Sequence, residues 1–458
     1  MQKQVFLHRS YIPAPAEAVF RWHARPGALE RLTPPWESVK IIENTGGIED
    51  GARVVLRMKL GPISQRWVAE HRDYEDGRQF RDVQVSGPFA HWEHTHKVES
   101  DGPSSCYLED RIEYALPFGA LGKIGGDAFT RAKLKRMFTY RHQVTKWDIL
   151  QQLKGKGTMR IAVSGASGLV GSVLATFLTT AGHQVVRLIR SAPRPGSDEL
   201  QWDTERGVPD LTRLEGIDAV VHLAGANIAN GRWTPERKRL ILESRVKGTK
   251  ALCEALANLA SPPKTLVCAS AIGYYGNRGA DMLGEDSAPG TGFLAEVCKE
   301  WETATQPAEA KGIRVAYARI GVVLTPAGGA LAKMLLPFRL GIGGVIGDGA
   351  QYMSWITLDD VVGALHHVLI TEDMRGPVNI VAPTPVTNHE FTKTLGRVLK
   401  RPTVVPIPAF AVRLGFGEMA DELLLASTRV EPRRLLATGY EFRYPTLEEA
   451  LRQVLGKT

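Results

Sequence analysis

A glycine-rich turn constrains the fold of this chain more than any other feature of its sequence. The turn reads GASGLVG from Gly165 to Gly171, after the apolar run 160–164 and before the helix-like stretch 172–181. A strand that enters a helix through such a turn directs backbone N–H groups and a helix N-terminus toward an anion. Glycine spacing alone is a weak signal, and its position between a strand and a helix is what predicts a nucleotide site.

Length and composition limit the classes of protein to consider. A chain of 458 residues predicts two or three domains, and 43% apolar with 23% charged residues describes a soluble globular protein. The net charge of +8 is spread over the whole chain, which argues against nucleic acid as a partner. Four scattered cysteines, no signal peptide and no long apolar run predict a reduced, cytoplasmic protein without a membrane span.

The first domain is expected to span residues 1–153, and its first 115 residues alternate polar and apolar positions in the manner of an antiparallel sheet. One strand at 4–12, a short helix at 16–22, further strands up to residue 114 and a closing helix at about 127–153 form a helix-grip pattern. This order, with the opening phrase SYIPAPAEAVF, resembles the START/Bet v 1-like superfamily, also called SRPBCC or polyketide-cyclase-like. The resemblance implies an α+β domain with an apolar cavity that holds a hydrophobic small molecule. The alternative is a filled core with no ligand.

Three polar or aromatic residues in this first part share one strand face. Trp92, His94 and His96 are spaced by two, so they could line a cavity or bind a metal with a distant third ligand. A polar strand face is the favoured interpretation, and no metal is predicted. The closing helix has a basic set that is expected to form its solvated side: Arg131, Lys133, Lys135, Arg136 and Arg141.

A polar, glycine-containing linker at 154–158 separates the first part from residues 159–458. From Arg160 onward, strands and helices alternate, which predicts an α/β Rossmann fold with a parallel sheet. Strands are expected at 160–164, 184–189, 218–223, 264–269 and 313–318. The spacing of the turn glycines fits the short-chain dehydrogenase/reductase form of this fold.

The end of the second strand of this fold indicates which dinucleotide binds. An NAD site needs an acidic residue there for the ribose 2′-hydroxyl, whereas this chain has Arg190. An arginine matches a 2′-phosphate, and such a contact is worth about 1.5–3 kcal/mol, so NADP(H) is expected. A surface arginine beside a loop is the alternative. The next strand ends in Leu223, Ala224 and Gly225, which should pass beside the cofactor, while His222 is expected to be a packed strand residue.

Several longer phrases follow the fingerprint in a fixed order. They are GRWTPERKRLILESR (231–245), SAIGYYG (270–276), GFLAEVCKEWE (292–302), RIGVVL (319–324), GGALAKMLLPFRLGIGG (328–344), GDGAQYMSWITLDDV (347–361) and PTPVTNHEF (383–391). Together they resemble the epimerase-like atypical extended short-chain dehydrogenase/reductase family, with a C-terminal substrate lobe from about residue 325. The resemblance implies these cofactor contacts: Gly165, Ser167, Gly168, Leu169, Val170, Gly171, Arg190, Leu223, Ala224, Gly225, Arg245, Ser270 and Val323.

The proton relay usual in this superfamily is missing from the sequence. Ordinary members use a serine and a Tyr-x-x-x-Lys pair, in which the tyrosine relays a proton as hydride moves. Ser270 stands at the serine position, but Phe293 and Val297 stand where the tyrosine and lysine are expected. Tyr274 and Tyr275 are nearby candidates for the proton donor, or else aromatics that pack over the nicotinamide.

Four further polar or aromatic positions complete the expected site. Glu302 is expected to face solvent or to pair on its own helix, and Arg319, Gln351 and Trp355 are expected to border the space for the substrate. The leading hypothesis is an NADP(H)-dependent oxidoreductase or epimerase-like enzyme, of unknown small-molecule substrate, with a fused hydrophobic-ligand domain. The competing hypothesis is a non-catalytic binding protein that responds to NADP(H).

Overall fold

The computed structural model describes residues 3–60, 63–117, 126–203 and 210–457. The chain forms two compact units, of which the first ends at Gly155 and the second begins at Lys156. Within these described ranges, no helix is both long enough and apolar enough to cross a membrane. Each unit has its own seven-stranded sheet.

The first unit is an antiparallel sheet with a long helix packed on it. The strands run in the order β1-β7-β6-β5-β4-β3-β2, so the first strand pairs with the last, Cys106–Ala115. This is the helix-grip arrangement that the sequence predicts. The elements are β1 (Gln4–Ile12), α1 (Ala16–Ala24), α2 (Ala28–Leu32), β2 (Val39–Asn44), β3 (Arg53–Leu60), β4 (Ile63–Glu75), β5 (Gln79–Ser86), β6 (His91–Ser100), β7 (Cys106–Ala115) and α3 (Gly126–Gln152).

Strand β6 shows which face of this sheet is the inner one. Its side chains alternate strictly, and Trp92, His94, His96 and Val98 are all buried. The structure therefore supports the alternative in which these residues line a cavity, and the favoured interpretation, a polar strand face, is wrong. Because side chains alternate with a period of two, residues spaced evenly from Trp92 must share its buried side.

One of the basic residues of α3 also departs from the prediction. Arg141 lies against the ring of Phe138, at 5.1 Å, and donates a hydrogen bond to the carbonyl oxygen of Leu32 at 3.2 Å. Three residues along a helix return to nearly the same face, so Arg141 follows the buried Phe138 inward. The expectation that it belongs to the solvated side is wrong.

The inner face of the sheet encloses a cavity of about 600 Å³. Its wall is mainly apolar and aromatic, with a polar region that includes His94, His96 and Arg141. Such a volume and composition are typical of sites for small molecules. The apolar lining includes Leu56, Met58, Trp67, Phe80, Phe89, Trp92, Leu116, Leu134 and Met137.

The second unit is a doubly wound α/β fold. Its parallel sheet has the strand order β10-β9-β8-β11-β12-β14-β18. The strands are β8 (Arg160–Ser164), β9 (Gln184–Ile189), β10 (Glu199–Gln201), β11 (Ala219–His222), β12 (Thr265–Ala271), β13 (Met282–Leu283), β14 (Arg314–Ile320), β15 (Val322–Leu324), β16 (Tyr352–Met353), β17 (Trp355–Thr357), β18 (Gly376–Ile380), β19 (Val386–Thr387) and β20 (Arg429–Val430). The helices are α4 (Leu169–Thr180), α5 (Pro235–Ala257), α6 (Phe293–Thr303), α7 (Gln306–Ala310), α8 (Gly329–Arg339), α9 (Leu358–Ile370), α10 (Asn388–Leu399), α11 (Ala409–Phe416), α12 (Glu418–Leu423), α13 (Arg433–Ala437) and α14 (Leu447–Val454).

Helices cover both faces of this parallel sheet. In β8, Ile161 and Val163 pack into a core with α4 and α9, whereas Ala162 packs into the opposite core with α5. Strands buried on both faces are mainly apolar, as β8 and β11 are until their last residues, Ser164 and His222. The predicted Rossmann architecture is confirmed.

Candidate functional site

The carboxyl ends of four neighbouring strands bring the predicted site residues to one edge of the sheet. In the strand register, Ser164 pairs with His222, and Ser270 pairs with Arg319. The glycine turn follows β8 and the segment 223–225 follows β11. In open α/β sheets, ligands bind at this edge.

The glycine turn is shaped so that only glycine fits at its two ends. Gly165 has φ of +67°, and a Cβ built on it would lie 2.9 Å from the carbonyl carbon of Leu223. A Cβ on Gly171 would lie 2.2 Å from the carbonyl oxygen of Gly165. Between them Ser167 and Gly168 are exposed, directly before α4. The first N–H groups of a helix have no partner within that helix, so an anion at this exposed turn could accept their hydrogen bonds.

A buried hydroxyl holds the end of β11 against the turn. The Oγ atom of Ser164 lies 2.6 Å from His222 Nδ1 and accepts hydrogen bonds from the backbone N–H groups of Leu223 and Ala224, at 3.1 and 3.3 Å. Burial lowers the pKa of His222 to about 4, so its ring is neutral. The prediction that His222 is a packed strand residue is confirmed.

Two arginines near this edge have no acidic partner within the described ranges. Arg190 directly follows β9, its side chain is exposed, and it forms no ion pair there. Arg245 projects from α5 so that its guanidinium lies over the ring of Trp301, at 4.9 Å, and next to Gly225. Burial lowers the pKa of Arg245 to about 10, which leaves it protonated at neutral pH. Arg245 also donates a hydrogen bond to the carbonyl oxygen of Ile241 at 3.0 Å. Two cations at this edge that lack an acidic partner in the described structure fit a dinucleotide that carries phosphates.

Hydrophobic residues complete the surroundings of the turn. Leu169 and Val170 begin α4, and the side chain of Leu169 lies against Gly328, next to the start of α8. Val170 and Val323 both pack against the core cluster beneath the sheet. Leu169 and the carbonyl oxygen of Val323 both lie close to Gly329, so Val323 is near the first turn of α4, and its contact with the cofactor stays a prediction.

Ser270 lies in a buried ion-pair network. Its hydroxyl donates to Glu302 Oε1 at 2.7 Å, and the guanidinium of Arg319 donates to both oxygens of the same carboxylate at 2.8 Å. Arg319 is only 3% exposed. The expectation that Glu302 faces solvent or pairs on its own helix is therefore wrong. The position of Arg319 at the border of the substrate space stays a prediction. Opposite charges on α6 and β14 pair because both are withdrawn from water.

The two candidate tyrosines have different surroundings. Tyr275 is fully buried, donates to Asn379 Oδ1 at 2.7 Å and accepts from Arg319 at 2.9 Å. Burial raises its pKa. Tyr274 is partly exposed, and the guanidinium carbon of Arg319 lies 3.5 Å from its ring centre. Among the described residues, no hydrogen-bond partner is found for the Tyr274 hydroxyl, which leaves it the more accessible of the two phenols.

The side chains of two predicted substrate contacts donate hydrogen bonds to backbone carbonyl oxygens of the protein itself. Trp355 is fully buried in the core around α8 and α10, and its Nε1 donates to the carbonyl oxygen of Thr384 at 2.9 Å. The prediction that Trp355 borders the space for the substrate is wrong, because its side chain is fully enclosed in this core. Gln351 is partly buried and donates to two carbonyl oxygens, those of Ile346 and Leu424, at 3.1 Å each.

The positions of the missing Tyr-x-x-x-Lys pair fall on α6. Phe293 begins this helix and packs against Trp233, with ring centres 5.1 Å apart, while Val297 is buried. The backbone N–H groups of Phe293 and Leu294 donate to the carboxylate of Glu422, each at 3.2 Å. A carboxylate from α12 therefore caps α6 at the place where the tyrosine would stand.

Sequence reasoning named Glu285 as a polar candidate but missed Asn379, which belongs to the same network. Asn379 is fully buried in β18 and Glu285 is 7% exposed; the Glu285 Oε1 atom accepts from the Asn379 N–H at 3.1 Å. The Oε2 atom of Glu285 is buried without a hydrogen-bond partner in the described structure. The sequence held one signal for Asn379, which is its position between apolar residues of β18. Because buried polar groups need hydrogen-bond partners, a polar residue there indicates a buried network.

The strand order, the glycine turn and the arginine after β9 define a Rossmann protein of the short-chain dehydrogenase/reductase class. Residues 161–381 match the family described as NAD dependent epimerase/dehydratase. Residues 12–137 match polyketide cyclase/dehydrase and lipid transport, and residues 407–454 match a domain of unknown function. The chain belongs to the epimerase family of short-chain dehydrogenase/reductase proteins, with an N-terminal polyketide-cyclase-like domain.

Relatives of two kinds support this assignment. The epimerase family protein Mb2239 of Mycobacterium bovis is 47% identical over 291 residues, which are 64% of this chain and 96% of the relative. The human epimerase family protein SDR39U1 is 37% identical and is matched over its whole length, by 65% of this chain.

Solved structures resemble one or both units. One described as a nucleoside-diphosphate sugar epimerase from Corynebacterium glutamicum is 33% identical, with a TM-score of 0.81 over 98% of this chain and 90% of that one. The structure of human SDR39U1 with NADPH has a TM-score of 0.60 over 65% of this chain and 99% of that one, at 37% identity.

Proposed function

We propose that the second unit binds NADP(H) through the Gly165–Gly171 turn, Arg190 and Arg245. The observation that carries this proposal is a pair of arginines, at the sheet edge where the turn lies, for which the described residues supply no acidic partner. Arg190 would hold the 2′-phosphate, and the turn would hold the pyrophosphate. The NADPH in the structure of the human relative supports this choice of dinucleotide.

Titration with NADPH and NADH, followed by nicotinamide fluorescence, tests the role of Arg190. In Arg190→Gln, NADPH affinity should fall about 10- to 100-fold because one charge-assisted contact is lost, while NADH affinity should change little. Arg194→Gln is the matched control, because Arg194 is also exposed but already pairs with Glu199. Equal loss for both dinucleotides would contradict the assignment.

The reaction we propose is hydride exchange with a small-molecule substrate, assisted by the hydroxyl of Tyr274. Bound NADP(H) would supply or accept the hydride. Tyr274 is the partly exposed phenol at the strand ends, so it would hold the proton that the substrate oxygen gains or loses. Ser270 and Tyr275 would position the site through Glu302 and Arg319, since both hydroxyls already donate to buried acceptors.

Steady-state kinetics tests this role once a substrate is found. Tyr274→Phe should lower turnover about 100-fold or more and leave NADPH binding unchanged, because only a proton-transfer group is removed. Tyr444→Phe is a suitable control, since Tyr444 is also partly buried with an arginine over its ring, at 5.1 Å. Full activity in Tyr274→Phe would exclude the proposed proton relay.

Nucleoside-diphosphate sugars are the substrate class to test first. The relative from Corynebacterium glutamicum carries that description and is similar over both units. We propose that the segment from about residue 325 forms the substrate lobe. Incubation with such sugars and NADP⁺ in deuterated water should give an epimer or an oxidised sugar, detected by NMR. If neither these sugars nor a broad panel of carbonyl compounds with NADPH reacts, the proposed activity is rejected.

The second candidate is a non-catalytic protein that responds to NADP(H). It is favoured by one observation: Phe293 and Val297 pack at the positions where the proton relay should stand. In this case the cavity of the first unit would hold an apolar ligand whose affinity depends on the cofactor. Titration of the full chain with the apolar probe 1-anilinonaphthalene-8-sulfonate, with and without NADPH, should then differ by at least about fivefold. Equal affinities would reject this coupling.

A further inference from the structure

Three neighbouring strands of the first unit place two carboxylates and two imidazoles side by side. In the strand register, Asp82 on β5 lies opposite His94 on β6, and His96 on β6 lies opposite Asp110 on β7. Directly opposed residues on one face have Cβ atoms about 5 Å apart. His94, His96 and Asp110 are 2%, 8% and 3% exposed.

Each imidazole has one carboxylate on either side. His94 Nδ1 and His96 Nε2 lie 2.9 and 3.1 Å from the same oxygen, Oδ2 of Asp82. The opposite ring nitrogens, His94 Nε2 and His96 Nδ1, both lie 2.7 Å from Oδ1 of Asp110. His142 Nε2 lies 2.5 Å from the other oxygen of Asp110 and fixes that carboxylate.

This is the geometry of a metal site with its supporting carboxylate. Histidines that bind metals generally donate their other ring N–H to a carboxylate, as His94 and His96 can to Asp110. Ligand atoms on adjacent corners of an octahedron with bonds of about 2.1 Å are about 3.0 Å apart. The distances of 2.9 and 3.1 Å from Asp82 Oδ2 fit that spacing.

We propose that Asp82, His94 and His96 bind one divalent transition-metal ion in the wall of the first unit's cavity. These three side chains line the cavity, whereas Asp110 and His142 lie behind them. The ion would keep open coordination positions toward the cavity, for an oxygen atom of an otherwise apolar ligand. Its two positive charges would balance the carboxylates of Asp82 and Asp110. The proposal departs from the expectation that no metal binds.

Two other arrangements are outcomes of the test. Protons alone could occupy the positions between the imidazoles and the carboxylates, in which case no metal is taken up. Alternatively a metal could bind His91, Glu93 and Glu113, whose ligand atoms also lie within 4.8 Å of one another. That second group is on the outer face of the same sheet, because its residues alternate with the buried ones.

The experiment uses the full chain, stripped with a chelator and then loaded with zinc chloride alone. Elemental analysis should find about one zinc per chain. X-ray absorption at the zinc edge should show nitrogen and oxygen neighbours at about 2.0–2.1 Å and scattering from two imidazoles. Less than about 0.1 zinc per chain, or no imidazole scattering, would overturn the proposal without any variant.

Three substitutions then assign the ligands. Asp82→Asn should weaken zinc binding about 100-fold or more, and Asp110→Asn should weaken it about 10- to 100-fold because it only orients the imidazoles. His91→Gln, on the same strand but the outer face, should bind as the parent chain does. Loss of zinc in His91→Gln, or its retention in a folded Asp82→Asn, would overturn the assignment; circular dichroism establishes that each variant is folded.

Discussion

Both units bury charged side chains beside their sheets, but they surround them differently. In the second unit, the Glu302–Arg319 pair is enclosed with Ser270 and Tyr275, and each polar atom has a partner from another element. In the first unit, the carboxylate and imidazole cluster around His94 stands on the wall of a cavity of about 600 Å³.

This difference gives the Glu302–Arg319 pair a structural role and makes the cluster around His94 a candidate for binding. An enclosed ion pair cannot exchange partners without local unfolding, so it fixes the strand ends that carry the site. A cluster on a cavity wall can exchange a proton, a metal or a ligand with the interior of the cavity. The comparison therefore predicts that substitutions in the network change stability most, and those around the cavity change binding most.

Breaking the enclosed pair should have the largest effect. Arg319→Met leaves the carboxylate of Glu302 buried without its cation and should lower the free energy of unfolding by about 3–5 kcal/mol. The double variant Glu302→Met with Arg319→Met should recover most of this loss, because no uncompensated charge remains. Urea denaturation measures both. A cost below about 1 kcal/mol for the single variant would show that the pair is not enclosed in solution.

Filling the glycine turn should have the next largest effect. Gly171→Ala places a methyl group 2.2 Å from the carbonyl oxygen of Gly165, so the turn must open, at a cost of about 1–3 kcal/mol. NADPH affinity should fall with it. Gly415→Ala is the control, since a Cβ there meets nothing within 4 Å. Unchanged NADPH binding in Gly171→Ala would contradict the proposed phosphate site.

Removing the second unpaired arginine should affect both dinucleotides alike. Arg245→Met should weaken NADPH and NADH about 10- to 100-fold each, because the pyrophosphate is common to the two. Arg239→Met, on the same helix but exposed, should leave both affinities unchanged. Calorimetric titration measures the constants. Selective loss of NADPH alone would place Arg245 at the 2′-phosphate instead.

Narrowing the cavity should have the smallest of these effects, and it should appear in binding only. Ala69→Phe adds a ring to the cavity lining and should lower the affinity for 1-anilinonaphthalene-8-sulfonate roughly tenfold, through lost apolar contact area. Val85→Phe, at an exposed position of β5, is the control. If Ala69→Phe binds the probe unchanged, the probe does not occupy the cavity.

The sequence predicted the second unit's fold and turn because their signals are local. Apolar strands, the glycine spacing and the arginine after β9 all fall between residues 160 and 190. Alternation likewise predicted the first unit's sheet. What the sequence could not show is pairing at a distance: Glu302 and Arg319 come from different elements, and Asp110 meets His142 from 32 residues along the chain. Such partners are set by sheet register and helix packing rather than by spacing.

Trp355 illustrates a different error, a site contact that the sequence predicted and the structure does not form. It stands in a phrase that resembles a segment of the extended family, so a position at the border of the substrate space was expected. Its ring instead packs in the core around α8 and α10, where Nε1 donates to the carbonyl oxygen of Thr384. A similar phrase predicts where a segment lies more securely than where each of its side chains points.

The cap that Glu422 provides for α6 has a consequence for synthesis of the chain. The helix begins at Phe293, but its first N–H groups bond to a carboxylate 129 residues further along. During translation α6 can form its turns early, yet its start stays uncapped until that later segment has been made and has folded back. The edge that carries the tyrosines is therefore completed late, and a ribosome that stalls before Glu422 leaves a Rossmann sheet whose site is unfinished.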